Sequence, residues 1–407
     1  MPSMQLRRDD VIVGVDTHKD QHVAVLLDGL GGRVDDLFIP ATLTGFAQLL
    51  AFCERHIGTD GRLVAFGVEG TGSYGIGLAR FLRRHGHTVH EVHRPPRKGE
   101  RRMSGKSDTI DAEHAARQVL SGARMAQPKT ADGQIEALRL IKIARDTAVK
   151  ARTTAMITLK ATLVTAGDEL RAELEPLTDF KLVAACAELE SAKSLGDPDA
   201  AMRHVLGSLA RRWFDLHEEI KIHSRHLKKQ TKAVAPQLVQ AVGVGLDIAA
   251  ELLVTAGDNR DRIRSEAAFA KMCGACPIPA GSGKTNGRHR LNRGGNRQAN
   301  AALYRAVIVR MRWHEPTIAY VTRRTAEGLS KREIIRCLKR YLAERSTTSC
   351  HPSTPSPSRQ RPHRNRSPDG LRNIGASTPA RKRSSPAWNG KSCPATTSRT
   401  LDKPRLS

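Results

Sequence analysis

The first 125 residues alternate between short apolar runs and stretches with helical spacing. Runs rich in Val, Ile and Leu predict strands, and the Gly29-Leu-Gly-Gly32 segment supplies a turn before the third strand. The predicted order is β-β-β-α-β-α-β-α, over residues 11–16, 22–27, 33–39, 44–56, 63–68, 75–85, 88–92 and 107–120. Right-handed crossovers after the three meandering strands would make the later strands parallel to the first. Residues 1–125 are therefore predicted to form an α/β domain with a mixed sheet.

Residues 126–235 have helical periodicity throughout. Apolar and small residues recur every three or four positions from Ile135 through Ala144, Ala148 and Ala151 to Leu159. A heptad-like seam follows, made of Leu206, Leu209, Trp213, Leu216, Ile220 and Leu227. Such spacing predicts a long helical hairpin or coiled coil. A bundle within one chain and a dimerisation arm fit this pattern equally well.

The remaining chain divides into a mainly helical unit, residues 236–345, and a basic tail, residues 346–407. The helical unit opens with an apolar helix end, a Gly243-Val-Gly245 turn and a new helix. Backbone N–H groups at such a turn can bind a DNA phosphate, as in helix-hairpin-helix modules, although a simple corner between helices fits at least as well. The tail has 12 Lys and Arg residues against 2 acidic residues, and 12 Ser and 9 Pro. It is predicted to be disordered because it cannot bury enough apolar surface.

Composition narrows the class of protein. The 407 residues include 67 Lys and Arg against 41 Asp and Glu, a formal net charge of +26 that favours binding to nucleic acid. No apolar run approaches the about 18 residues of a membrane helix, and the start of the chain does not resemble a secretory signal. Seven scattered cysteines make a disulfide framework improbable, so a cytoplasmic, nucleoid-associated location is expected.

Four carboxylates fall where the predicted fold would bring them together. Asp16 ends the first strand, Glu69 ends the fourth, and Asp108 and Asp111 lie three residues apart near the start of a helix. Converging carboxylates repel one another unless cations compensate, and two Mg²⁺ ions can promote phosphoryl transfer. The plainer interpretation is that these are strand-end acids and first-turn acids that complement a helix dipole.

A basic segment precedes the two aspartates and would bring phosphate attraction to the same site. An ordinary solvated loop is the alternative. The cationic residues of this basic segment are Arg94, Arg97, Lys98, Arg101, Arg102 and Lys106.

A second constellation surrounds Ser282. Gly283-Lys284-Thr285 resembles the end of a nucleotide-binding P-loop, but Ile278 stands where that motif needs its first glycine. What remains is a serine flanked by glycines, whose hydroxyl becomes nucleophilic only when a base or a metal activates it. A role in turn formation is the alternative. The cations that follow, which could orient a phosphodiester, are Lys284, Arg288, Arg290, Arg293 and Arg297.

Three further features suggest structural roles. The single Cys273-Gly-Ala-Cys276 pair has no partner at zinc-finger spacing, so packing in the core is preferred to metal binding. His18 and His22 are predicted to lie on the strand surface rather than to bind metal.

Together these motifs resemble the DEDD-type insertion-sequence transposases related to the pilin-gene invertase, over about residues 9–345. The matching segments are Val13-Gly-Val-Asp16, Val68-Glu69-Gly-Thr-Gly72, Lys106-Ser-Asp-Thr-Ile-Asp-Ala112, Pro279-Ala-Gly-Ser-Gly-Lys284 and Arg290-Leu-Asn-Arg-Gly-Gly-Asn296. The resemblance implies a RuvC-like, RNase H-fold domain joined to a C-terminal serine-containing domain. It implies that the four carboxylates hold Mg²⁺ and that Ser282 attacks a DNA phosphate.

The resemblance further implies assembly into a dimer or tetramer, and guidance by a structured bridge RNA from the element itself. The expected function is therefore a DNA transposase or recombinase. A metal-dependent, structure-specific nuclease would need the carboxylates but not Ser282. A non-catalytic nucleic-acid-binding protein would need only the charge.

Overall fold

A mixed sheet forms the first part of the chain in this computed structural model, which describes residues 6–92, 107–122, 125–190, 194–281, 289–292 and 294–350. The strands are β1 (Val11–Thr17), β2 (Gln21–Asp28), β3 (Arg33–Pro40), β4 (Leu63–Val68), β5 (Val89–Val92) and β6 (Met125–Ala126). Their order across the sheet is β3-β2-β1-β4-β5-β6.

The strand directions follow the prediction. β1, β2 and β3 form an antiparallel meander, while β4 is parallel to β1 and β5 is parallel to β4. The additional strand β6 runs antiparallel to β5 and was not predicted. It has only two residues, which is too short for a periodic pattern.

Helices cover both faces of the sheet. They are α1 (Leu43–Arg55) and α2 (Ile76–Arg84) on one face and α3 (Asp108–Ser121) on the other. Every residue of β1 is buried: Val13 packs with the α1 and α2 side chains, and Ile12 packs with α3. Burial on both faces explains why β1 is a nearly continuous apolar run rather than an alternating one.

Two glycines let α3 lie directly on the sheet. A Cβ atom added to Gly14 of β1 would lie 1.9 Å from the carbonyl oxygen of Ala112 and 2.3 Å from the backbone nitrogen of Ala116. A Cβ atom on Gly67 of β4 would lie 2.6 Å from the carbonyl oxygen of Ala115. The alanines of α3 complete this close packing, since a larger residue on either surface would push the helix outward.

The middle of the chain forms a helical hairpin. Its long arms are α4 (Gln134–Leu163) and α7 (Pro198–Val234), which pack on each other, and the shorter α5 (Asp168–Leu174) and α6 (Asp179–Ala187) lie between them in sequence. The heptad-like seam is buried at Leu206, Trp213, Ile220 and Leu227. The predicted helical hairpin is therefore present, while a role of this arm in dimerisation stays a prediction. None of the described helices is long and apolar enough to span a bilayer.

One position of the predicted α4 stripe is wrong. Ala151 is exposed, and the neighbouring Arg152 lies on the packed side instead. Its guanidinium carbon is 5.3 Å from the centre of the Trp213 ring, and its Nη1 donates to Nδ1 of His217 at 2.8 Å. A cation-π contact thus replaces the expected small-residue contact.

The C-terminal part is mainly helical. Its helices are α8 (Pro236–Gln240), α9 (Leu246–Ala256), α10 (Glu266–Met272), α11 (Arg297–Trp313), α12 (Glu315–Ala326) and α13 (Lys331–Cys350). An unpredicted two-stranded hairpin, β7 (Pro277–Pro279) and β8 (His289–Leu291), lies between α10 and α11. Two prolines in three residues concealed β7, because proline is uncommon within strands.

The predicted start of the tail at residue 346 is wrong, because α13 continues to Cys350. Ser346 is only 2% exposed, and its hydroxyl donates to the carbonyl oxygen of Leu342 at 2.7 Å. That local bond satisfies a polar residue inside the helix. Residues 351–407, which make up the rest of the predicted tail, lie outside the described ranges.

Polar contacts join the start of α4 and the segment before it to the C-terminal region. Asp258 accepts hydrogen bonds from the backbone N–H groups of Ile135 and Glu136, at 2.7 and 3.2 Å, and so satisfies the start of α4. The Lys129 ammonium donates to the carbonyl oxygen of Val254. Burial and the nearby Arg262 lower the pKa of Lys129 to about 8, because both disfavour its charged form.

Substitution of Gly14 by Ala should disrupt the contact between α3 and the sheet. We expect the free energy of unfolding to fall by roughly 3 kcal/mol, because the new methyl group overlaps the helix backbone. Gly72→Ala is the control: Gly72 has no atom within 4 Å of an added Cβ, and we expect a change below about 0.5 kcal/mol. Urea unfolding measures both values, and equal losses in the two variants would contradict the packing argument.

Lys129→Met should change how stability depends on pH. Between the folded pKa of about 8 and the ordinary value of 10.5, the unfolded chain binds more protons at this position than the folded chain does. The wild-type free energy of unfolding therefore gains up to about 1.4 kcal/mol per pH unit from this lysine as the pH rises. The variant should lack that gain, whereas Lys181→Met, at an exposed position on α6, should keep it. Urea titrations at pH 8 and pH 10 test this, and identical slopes in all three proteins would refute the assignment.

Candidate metal centre

Asp16 and Glu69 lie side by side at the ends of two neighbouring parallel strands. Val15 of β1 is in register with Val68 of β4, and the backbone N–H of Glu69 donates to the carbonyl oxygen of Val15 at 3.0 Å. Both acids are almost fully buried, with 6% and 4% of their surfaces exposed. The sheet register therefore brings together two acids that are 53 positions apart, as the sequence predicted.

Helix α3 adds two more carboxylates from above the sheet. Ala112 contacts Gly14, and Asp108, one helical turn earlier, lies over the end of β1. Oδ1 of Asp108 is 3.5 Å from Nε2 of His18, which is itself 3.1 Å from Oδ2 of Asp16. Asp111 is partly buried on the same helix and close enough to raise the pKa of Asp16.

His18 is exposed just after β1, as expected of a surface residue, but it also joins this cluster. Asp16, His18 and Asp108 each offer a ligand atom, and these atoms lie within 4.8 Å of one another. Half of the His18 side chain is exposed, so the cluster is open to solvent on that side. The sequence offered one signal for this contact: His18 follows Asp16 by two residues and is the first residue after β1, which ends at Thr17.

His22 is also misplaced by the prediction, because it is fully buried rather than on the surface. Its ring stacks on Phe46 of α1, with the ring centres 5.8 Å apart and nearly parallel. Burial lowers the pKa of His22 and favours the neutral imidazole. Helix α1 packs over His22, and no pattern within the β2 sequence predicts that contact.

The electrostatics of the cluster favour a bound cation. Burial raises the pKa of Asp16, the negative charges of Asp111 and Asp108 raise it further, and the contact with His18 opposes them. A divalent ion would offset both the loss of hydration and the repulsion between carboxylates.

The donors fit a hard divalent cation. Carboxylate oxygens are the preferred ligands of Mg²⁺ and Mn²⁺, and the side chain of Asp108 is 46% exposed, which leaves space for water and for a substrate oxygen. The imidazole of His18 is a less typical Mg²⁺ ligand and is better suited to orienting Asp16 through their hydrogen bond. The oxygen donors therefore suggest a divalent-metal site, and Mg²⁺ as the particular ion stays a prediction.

The predicted nucleophile Ser282 and several predicted nucleic-acid contacts lie outside the described residues. These contacts are Lys284, Arg288 and Arg293, together with Arg94, Arg97, Lys98, Arg101, Arg102 and Lys106. Arg290 lies in β8 and Arg297 begins α11, and both are exposed.

The Gly243-Val-Gly245 turn has a packing role. Gly243 adopts a positive φ of 76°, and a Cβ atom there would lie 2.8 Å from the carbonyl oxygen of Ala306. Gly245 precedes the first turn of α9, where Asp247 forms an ion pair with Arg145 at 3.0 Å. The Asp247 carboxylate already places a negative charge at this helix start, and this charge would repel a phosphate group. Phosphate binding at the Gly243-Val-Gly245 turn stays a prediction.

The Cys273 and Cys276 thiols are both free. Cys273 is fully buried in the C-terminal core, and burial raises its pKa to about 12. This agrees with the predicted packing role, because a metal-binding cysteine must act as a thiolate.

Two family models match this chain, one in its N-terminal part and one in its C-terminal part. The family model for DEDD transposases of the IS110 type, described as "Transposase", matches residues 13–167, which include all four carboxylates. A second model, described as "Transposase IS116/IS110/IS902 family", matches residues 235–322, which include Ser282. The Streptomyces coelicolor protein named "Insertion element IS110 uncharacterized 43.6 kDa protein" is 30% identical over 126 residues, covering 30% of this chain and 31% of that protein. The chain thus aligns with about a third of that relative's length, while the two family models agree on its class. This chain belongs to the IS110 family of transposases.

Proposed function

We propose that this protein cuts and rejoins DNA strands as the transposase of an insertion sequence. The observation that carries the proposal is the cluster at one end of the sheet, where Asp16, His18 and Asp108 offer ligand atoms within 4.8 Å of one another. Glu69 follows the neighbouring parallel strand, and Asp111 lies on the same helix as Asp108. The match of a second transposase model to the C-terminal region supports a composite site that draws on both parts of the chain.

We also propose that the sheet domain is RNase H-like, of the RuvC type. The antiparallel meander, the parallel β1, β4 and β5, and a helix packed across β1 and β4 all support this assignment. Under this proposal residues 1–125, 126–235 and 236–345 act as a carboxylate domain, a helical arm and a serine-containing domain. The helix extending to Cys350 lengthens the third of these.

In the proposed reaction, Asp16, Glu69, Asp108 and Asp111 would hold two Mg²⁺ ions, which suit phosphoryl transfer. The cation would withdraw charge from the phosphate and lower the pKa of a bound hydroxyl or water. The buried Asp16 stays fixed by the sheet, while His18 holds its carboxylate through the 3.1 Å hydrogen bond.

Ser282 supplies the nucleophile in this proposal. Its Oγ forms a bond to phosphorus, its proton passes to a base, and the bond from phosphorus to a deoxyribose oxygen breaks, leaving that oxygen to gain a proton. Reversal with a hydroxyl of another strand would rejoin DNA and release the serine. Arg290 and Arg297 both follow this segment in sequence and are exposed, and guanidinium groups suit phosphate oxygens.

The proposed partners are DNA at the element ends and target, a structured RNA from the element, and further copies of this chain in a dimer or tetramer. The net charge of +26 supports binding to such polyanions. A DNA substrate would keep the protein on the nucleoid in the cytoplasm.

Asp16→Asn should raise the stability of the metal-free protein and abolish its response to metal. Because the folded pKa of Asp16 lies above its ordinary value, its charge destabilises the folded state at neutral pH, and asparagine removes that penalty. Millimolar Mg²⁺ or Mn²⁺ should raise the Tm of the wild type but not of the variant. Asp60→Asn, at an exposed position before β4, should respond to metal like the wild type. A metal response that survives in Asp16→Asn would remove Asp16 from the ligand set.

Ser282→Ala should abolish covalent protein-DNA adducts but leave DNA binding largely intact. The assay incubates each protein with element-end DNA, Mg²⁺ and the element's RNA, then measures adducts and rejoined strands. Asp16→Asn should bind DNA but give no strand exchange. Free ends in place of rejoined strands, formed equally by Ser282→Ala, would favour a metal-dependent nuclease. Unchanged function in a variant lacking all four carboxylates would favour a non-catalytic binding protein.

A further inference from the structure

A basic pocket lies beside the β7–β8 hairpin, away from the carboxylate cluster in the sequence. Its volume is about 680 Å³, and α11, α13 and β8 contribute most of its walls. The cationic residues that line it are Arg290, Arg297, Arg336 and Lys339. Among the described residues that line this pocket, none is acidic.

Lys339 is the unusual member of this group because it is buried, with 7% of its surface exposed. Its ammonium donates to Oδ1 of Asn300 at 2.9 Å, which is a neutral partner. Burial and the charge of Arg336 both lower the pKa of Lys339. A buried ammonium ordinarily lies beside a carboxylate, since loss of hydration is otherwise uncompensated.

Hydrogen bonds and close backbone packing beneath Lys339 define the position of its ammonium group. The Asn300 amide nitrogen donates to the carbonyl oxygens of Cys273 and Gly274, at 3.2 and 2.7 Å, which orients Oδ1 toward Lys339. A Cβ atom on Gly295 would lie 2.1 Å from the backbone nitrogen of Gly274, so the two loops are in close contact. Only one of the three ammonium protons is needed for Asn300, and the others are available to an anion.

Neighbouring residues suit a nucleic-acid strand. Arg336 lies one helical turn before Lys339, and its nearest described acid, Glu333, is 3.6 Å away on the same helix. Tyr304 is 47% exposed at the pocket and offers an aromatic face on which a base can stack. A phosphate with an attached nucleoside would use both the cations and the ring.

We propose that this pocket binds one phosphate group of a nucleic-acid strand, with Lys339 as the buried anchor and Arg336, Arg290 and Arg297 around it. The proposal rests on the proposed function, because it supplies a strand-holding site in the same domain as Ser282. Ser282 lies between β7 and β8 in sequence, and β8 carries Arg290. A phosphate fixed here would set the position of a strand relative to that hairpin.

The test compares Lys339→Met with Lys331→Met. Both remove one lysine charge from α13, but Lys331 is exposed and does not line the pocket. Each protein is kept in EDTA, so that no metal-dependent step contributes. The probes are inorganic phosphate, with sodium chloride at equal ionic strength as its control, and a short single-stranded DNA.

We expect phosphate to raise the Tm of the wild type and Lys331→Met beyond the chloride control, but not that of Lys339→Met. The Kd for the oligonucleotide should increase roughly tenfold in Lys339→Met and less than about threefold in Lys331→Met. The slope of log Kd against log salt should fall by about 0.7 for the lost phosphate contact. Without anion, Lys339→Met should be at least as stable as the wild type, because it no longer buries a charge.

Other outcomes would overturn the proposal. Equal oligonucleotide affinities in the two variants, with loss of the phosphate response only in Lys339→Met, would indicate a site for free phosphate. A lower Tm with unchanged binding of both probes would indicate a purely structural lysine. If Lys339→Met does not fold, Arg336→Gln provides the same test from the partly exposed wall of the pocket. Wild-type protein that binds no oligonucleotide would count against the proposed function itself, whereas wild-type binding unaffected by either pocket variant would count against the pocket alone.

Discussion

The close approach of helix α3 to strand β1 determines the geometry of the candidate metal centre. Gly14 has no side chain, so the backbone of Ala112 lies where a Cβ atom would otherwise be. The helix therefore rests on the strand, and Asp108, one turn earlier, reaches the His18 imidazole that also contacts Asp16. If α3 lay farther from the sheet, its aspartates would lie farther from Asp16, although the sequence of the site would be the same.

Packing, rather than attraction between the site residues, holds this cluster together. The carboxylates repel one another, and burial adds to the cost of the Asp16 charge. The apolar contacts of β1 and β4 with α3 oppose that repulsion and keep the site formed before a cation binds. Such a site is prepared for a metal at the expense of the stability of the metal-free protein.

The C-terminal region contains a buried group of the opposite charge, the Lys339 ammonium, which close packing also holds in place. Lys339 is buried beside a neutral asparagine, and its position is fixed by close contact between two glycine-containing loops. Polar bonds from Asp258 to the start of α4 and from Lys129 to Val254 connect this region to the rest of the described chain. The candidate metal centre and the proposed phosphate pocket are the complementary groups expected in a protein that acts on nucleic acid.

The sequence by itself indicated the antiparallel meander, the parallel strands beside it and the helical hairpin, because apolar periodicity is a local property of the chain. It also singled out four carboxylates, whose role as a metal site is a proposal. It did not reveal β6 or β7, the extension of α13 to Cys350, or the burial of His22, since short pairings and the cover of a surface depend on distant segments. It also missed His18 and Lys339, whose neighbours Asp108 and Asn300 lie 90 and 39 positions away. Only the tertiary structure decided these environments, because the free energy of a charge depends on which atoms surround it and not on which residues precede it.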